Sequence, residues 1–198
     1  MSSHTTPEQE ARETIDASLR AAGWAVQSLK EANLDASRGV AIRELHMKGG
    51  FADYVLYVDR KAVGVVEAKP AGTTLTGVEP QTAKYATGML AHLPRVCDPL
   101  PFLYQSTGVE TRFTNTLDPD PRSRLVFHFH TPDELAAELD GRPQADGRPS
   151  SLRSRLQELP PLHEQGLWDV QRRAVLNLEV SLQKNRPRSL IQMATGSG

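Results

Sequence analysis

The chain has 198 residues, of which 38% are hydrophobic and 24% charged, with one cysteine and a formal net charge of -1. That length suits one main core with an appendage, and no apolar run approaches the roughly 18 residues that a membrane span requires. Cys97 alone excludes an internal disulfide or a cysteine-rich metal site, the polar opening residues form no secretory signal, and the near-zero charge supplies no global field for nucleic acid, so a cytoplasmic, reducing setting is expected.

Thr6-Pro7-Glu8 has the chemistry of a helix start, a capping hydroxyl followed by proline at the first helical position. Ala11, Ile15, Leu19 and Ala22 follow at helical spacing and Gly23 stops it, which predicts a helix over about 7–22. Trp24-Ala25-Val26 begins an extended stretch, 30–40 reads as loop, and 40–46 as a strand. Residues 51–58, the polar turn Asp59-Arg60-Lys61 and residues 62–69 read as a β-hairpin. Pro80 opens a second predicted helix through about His92, and Pro94, Pro99 and Pro101 break the chain into a loop. Strands are expected at 102–104, 110–114 and 125–128, a linker over 141–150, a helix over about 167–184 and a short strand at 189–194. His128 and His130 alternate as on one strand, but no third ligand is spaced with them, so they are assigned structural or surface roles.

Asp53, Glu67 and Lys69 are the ionisable residues inside an otherwise apolar hairpin. Side chains alternate faces along a strand, so Glu67 and Lys69 project from one side. With Asp59-Arg60-Lys61 as a three-residue loop, Val58 pairs with Ala62 and Asp53 lies opposite Glu67, their β-carbons about 5 Å apart. A two-residue loop without a bulge would put them on opposite faces. Two carboxylates that close repel unless a cation lies between them, and Mg²⁺ takes carboxylate, water and phosphate oxygens. The carbonyl of Ala68 offers another oxygen, and Lys69 is placed to orient or deprotonate an attacking water or to stabilise charge on a phosphate. On spacing alone a second arrangement stands beside it, in which Asp53 ends a strand in solvent and Glu67 pairs with Lys69.

Asp53 with Glu67-Ala68-Lys69 resembles the PD-(D/E)xK nuclease motif, although Ala52 replaces the proline before the aspartate. Gln81 and Tyr85, four apart and so on one helix face, resemble the QxxxY motif of the branch that contains the restriction subunits of type I restriction enzymes. Glu10-Ala11-Arg12, followed by Ile15-Asp16, Leu19 and Ala22-Gly23-Trp24, is similar to the opening of those subunits, with Ala11 where threonine is usual. Stretches 101–104, 113–115, 122–124 and 127–132 are similar to the part between nuclease and motor. Leu167-Trp168-Asp169-Val170-Gln171 resembles the glutamine motif of superfamily 2 helicases, and Met193-Ala194-Thr195-Gly196-Ser197-Gly198 a phosphate-binding loop without its lysine and Ser/Thr.

The resemblance implies an α/β fold with a mixed central sheet flanked by helices, plus a C-terminal helix and strand that begin a RecA-like motor. The implied organisation is a nuclease domain over 1–140, a linker over 141–160 and a motor start over 161–198. It further implies Mg²⁺, with Mn²⁺ as substitute, held by Asp53, Glu67, the Ala68 carbonyl and Glu10 as an additional acid; Lys69 as catalytic amine; and Gln81 and Tyr85 near double-stranded DNA. Gln171, Gly196, Ser197 and Gly198 would form an incomplete nucleotide site, so ATP would act only in an intact subunit, working with methyltransferase and specificity subunits. An inactive nuclease-fold module for DNA binding or motor coupling is the alternative; a stand-alone ATPase fragment would predict nucleotide affinity, of which little is expected.

Overall fold

The computed structural model describes residues 6–48, 50–75, 86–141, 147–186 and 188–196. Thr6 caps the first helix, its hydroxyl accepting from the amide of Gln9, and α1 (Pro7–Ala21) buries Ala11, Ile15 and Leu19 along one stripe. Seven strands form one mixed sheet in chain order: β1 (Ala25–Ser28), β2 (Gly39–Met47), β3 (Gly50–Val58), β4 (Lys61–Ala68), β5 (Phe102–Ser106), β6 (Thr111–Asn115) and β7 (Arg124–Val126). The β1–β2 and β4–β5 pairs are parallel and the other four are antiparallel.

The valine-rich centre of the sheet reads as a continuous apolar run because both faces are covered. On one face Tyr54, Leu56, Val66, Phe102 and Tyr104 pack with Ile15 and Leu19 of α1, while Val40, Val55, Val65 and Leu103 pack on the other with Met89 and Leu100. Each fully buried aliphatic of this kind contributes about 1.5–3 kcal/mol.

The hairpin carries two departures from simple alternation. Its turn has two residues rather than three: Val58 pairs with Lys61, and Asp59 and Arg60 both have positive φ, 47° and 68°. That turn type matches the right-handed twist of the strands it joins. The register is then restored by a bulge. Tyr57 pairs with Ala62 and Leu56 with Gly64, leaving Val63 unpaired, after which Val55 pairs with Val65 and Tyr54 with Val66. The ladder ends at Tyr54–Val66, on the offset expected from a three-residue loop but one step short of Asp53 and Glu67.

Several expected elements differ. Residues 80–85 of the second predicted helix lie outside the described residues; Ala86 is helical, but 88–90 are not. There the carbonyl of Gly88 accepts from Lys48 and Met89 is buried, so sheet contacts displace the helical ladder before His92. The third late strand ends at Val126, which leaves His128 and His130 beyond it. The predicted strand at 189–194 is absent among the described residues: no neighbouring strand offers it a ladder, and Leu190 is exposed. A helix that the sequence reading passed over, α2 (Pro132–Leu139), is started by Thr131 and Glu134, which form a reciprocal capping box. Its proline lies so close to β2 that a Cβ at Gly39 would come within 2.1 Å of the ring. Beyond it, α3 (Leu152–Arg155) and α4 (Asp169–Gln183) follow, the latter close to the expected 167–184 helix. No described helix is long and apolar enough to cross a membrane.

Candidate functional site

The side chains that matter converge where α1, β3 and the end of β4 meet. The helix is fixed there by the phenol of Tyr54, which donates to the carboxylate of Asp16 at 2.9 Å and lies 3.2 Å from the carbonyl of Arg12. Burial, then the Asp16 charge, pushes the Tyr54 phenol well above its ordinary range, so it stays a donor. Arg20 and Arg43 flank Asp16 at 3.3 and 3.4 Å and offset its charge.

Asp53 sits where β3 changes face. Ala52 joins one core cluster and Tyr54 the other, although residues two apart on a regular strand share a side. The neighbouring strand is distorted at the same level: Glu44 has φ 55°, and Ile42 and Leu45 fall in one cluster. The Asp53 carboxylate is held at both oxygens. Its Oδ2 accepts the main-chain N–H of Ala68 at 2.9 Å and its Oδ1 accepts Nη2 of Arg12 at 2.6 Å. The other terminal nitrogen of Arg12, Nη1, donates to Glu44 at 2.9 Å.

Glu67 is 4% exposed, and its Oε1 accepts from Nζ of Lys69 at 2.8 Å. Its Oε2 is buried without a hydrogen-bond partner among the described residues. Burial raises the Glu67 pKa above the usual carboxylate range; the Lys69 hydrogen bond pulls it down, and the charge of Asp53 adds to the rise. Asp53, Lys69 and Arg12 thus all act electrostatically on this one carboxyl. Of the second arrangement weighed from the sequence, the Glu67–Lys69 pair is present, but Asp53 is not in solvent: its side chain is 14% exposed and bonded at both oxygens.

The placements of the other predicted residues are uneven. Glu10 is exposed in the first turn of α1, and the residue of that helix that reaches Asp53 is Arg12. No group of three or more His, Cys, Asp or Glu side chains that could hold a metal ion gathers among the described residues. Gln81, Tyr85, Ser197 and Gly198 lie outside the described residues. Gln171 stands in the first turn of α4, where its side-chain oxygen accepts from the amide of Trp168 at 3.0 Å, and Gly196 follows in a turn. Sequence reading missed Arg12 as a site residue, although its basic side chain one turn before Asp16 on the buried stripe was a usable signal. It also missed Gln105, fully buried beside Glu67 on β5.

The donor set fits a divalent cation. Two acidic side chains and a main-chain carbonyl are the oxygen ligands that Mg²⁺ accepts, with water and phosphate filling the rest, and Oε2 of Glu67 is a buried carboxyl oxygen with no hydrogen-bond donor among the described residues. Beside the site a cleft of 770 Å³ is lined by Arg12, Lys30, Arg43, Glu44, Phe51 and Asp53 among others.

Comparison with known proteins finds likenesses among the subunits of type I restriction enzymes. Residues 25–98 match the family model described as the type I restriction enzyme EcoKI endonuclease subunit second domain. The type I restriction enzyme EcoKI endonuclease subunit of Escherichia coli (strain K12) is 29% identical over an alignment that covers 96% of this chain and 20% of that protein, so the chain spans about a fifth of its relative's length. A solved fragment of a putative HsdR subunit of a type I restriction enzyme from Vibrio vulnificus YJ016 is 22% identical, with a TM-score of 0.45, over 95% of this chain and 35% of the other.

Proposed function

We propose, from the relation of this chain to the endonuclease subunits of type I restriction enzymes, that residues 1–140 are a PD-(D/E)xK nuclease module that hydrolyses phosphodiester bonds of double-stranded DNA with Mg²⁺. The observation that carries this reading is the approach of Asp53 to the end of β4, where its carboxylate accepts from Ala68 and its charge acts on the buried, half-satisfied carboxyl of Glu67. Bound Mg²⁺, or Mn²⁺ in its place, supplies Lewis acidity and an activated water. Asp53, Glu67 and the Ala68 carbonyl provide its protein oxygens. Lys69, 2.8 Å from Glu67, orients the attacking water and offsets charge developing on the scissile phosphate. On resemblance alone, Gln81 and Tyr85 contact the DNA.

The same relation supports a wider assembly. Residues 141–160 link the nuclease to the start of a RecA-like ATP-driven motor over 161–198, with Gln171 and Gly196 on its nucleotide side, and DNA sequence recognition resides in partner methyltransferase and specificity subunits in the cytoplasm. The test is Mg²⁺-dependent nicking of plasmid DNA by the full-length subunit in its complex. Lys69→Ala is expected to slow nicking by about 100-fold or more, the usual consequence of deleting a transition-state donor; unaltered cleavage removes Lys69 from the mechanism.

One observation favours the alternative of an inactive module for DNA binding or motor coupling: Arg12 and Lys69 already neutralise both carboxylates. Calorimetric titration of Mn²⁺ into the wild type and Asp53→Ala separates the two readings. Binding by the wild type that is lost in the variant supports the nuclease; no binding by the wild type supports the alternative.

A further inference from the structure

We infer that Arg12 is a positioning residue that occupies the place of the cation on Asp53 and must release that contact, while keeping Glu44, for a divalent ion to enter. The inference rests on the metal reading above.

The two oxygens of Asp53 are held by donors of different mobility. Oδ2 is fixed by the main chain of Ala68, which is built into β4 and cannot leave without breaking the sheet. Oδ1 is held by a side chain. An incoming ion therefore has one oxygen for which it can compete at small cost, and Arg12 is its competitor.

The guanidinium is built for such an exchange. Its planar fork holds two carboxylates at once, with Nη1 on Glu44 at 2.9 Å and Nη2 on Asp53 at 2.6 Å. Losing Asp53 leaves it paired with Glu44. The main chain of Arg12 is anchored by the Tyr54 phenol and by burial of Ala11 and Ile15, so only the side chain needs to move. The arginine and glutamate side chains are 38% and 64% exposed at the cleft, where there is room for the shift. Arginine does not deprotonate in proteins, so its charge opposes the ion even after the exchange. Arg12 thus lowers metal affinity, and in return it holds Asp53 in place while no metal is bound.

Calorimetric titration of Mn²⁺ into the 198-residue chain, paired with melting curves in chelator and in Mn²⁺, tests this. Arg12→Gln should bind Mn²⁺ about tenfold more tightly than wild type, because one positive charge beside the ion is gone. It should melt lower than wild type in chelator, and Mn²⁺ should close that gap. Arg12→Lys keeps the charge without the fork, should fold if the glutamine variant does not, and should bind about two- to threefold more tightly. Equal or weaker binding by the folded variants, with Asp53→Ala still abolishing it, overturns the role of Arg12 and leaves the metal site standing. No binding by wild type or by either Arg12 variant overturns the metal site and this inference together.

Discussion

Ala68 donates its main-chain N–H to Asp53 at 2.9 Å, and the bond closes one end of a hairpin whose other end is the Asp59-Arg60 turn. Between them, unpaired Val63 offsets the strands by one residue. Without that offset Glu67 would turn to the other face, and so would Val65 and Val66. Deleting Val63 makes Ala62 and Gly64 neighbours and leaves every other pair of the hairpin in step, so it is expected to cost only the burial of the Val63 side chain, about 1.5–3 kcal/mol. Adding one glycine after Arg60 to the deletion variant lengthens the turn without changing the pairs beyond it, so it should recover little of the loss. Urea denaturation followed by circular dichroism measures both; a much larger loss, or its recovery by the glycine, would mean that the deletion shifts the register.

The turn itself holds a local conflict. Asp59 and Arg60 occupy left-handed backbone that non-glycine residues adopt at a cost of about 1 kcal/mol each. Arg60 makes an ion pair to Asp35 at 3.2 Å, with both side chains about two-thirds exposed, and such surface pairs contribute little. Arg60→Gly should therefore stabilise the protein by about 0.5 kcal/mol, after the larger unfolded-state freedom of glycine is set against the relieved strain. A drop in the urea midpoint would show that the ion pair outweighs the backbone term.

Acid sensitivity should trace in part to His130. Its Nδ1 lies 2.6 Å from the Tyr104 hydroxyl, which burial keeps protonated, and burial of the imidazole favours its neutral form. Burial lowers the His130 pKa below 6.5. The unfolded chain then binds the proton more readily, so stability from this residue is full above pH 6.5 and is lost as pH falls through the folded-state value. Glu67 runs the other way: its raised pKa makes stability fall as pH rises above the ordinary carboxylate range. The difference in melting temperature between wild type and His130→Gln isolates the histidine. It should shrink as pH is lowered from 7 to 5; a constant difference would show that His130 does not titrate in that range.

Helix α1, the central strands and the hairpin were legible because each states its period plainly: Ala11, Ile15 and Leu19 at helical spacing, and Val and Tyr runs bounded by turn residues. The bulge was not, since Val63 is one valine in a run of apolar residues and nothing in its chemistry marks it as unpaired. Helix α2 was signalled by Thr131-Pro132 and Glu134, the same capping chemistry as at Thr6-Pro7, but its eight residues are too short for periodicity to declare them. The strand expected at 189–194 failed for a different reason: a strand exists only beside another, and no sequence window contains the partner. At the site, Asp53, Glu67 and Lys69 could be named from the hairpin, whereas Arg12 reaches Asp53 across 41 residues of chain through tertiary packing.

The proposed chemistry requires Asp53 and Glu67 to share one divalent ion. Anomalous diffraction from crystals soaked in Mn²⁺ tests that most directly, because it locates the ion without relying on activity. The expected result is one strong peak within about 2.0–2.6 Å of an oxygen of each carboxylate, with Nη2 of Arg12 withdrawn from Asp53. A map without density between them, with Arg12 still on Asp53 at saturating Mn²⁺, would contradict it.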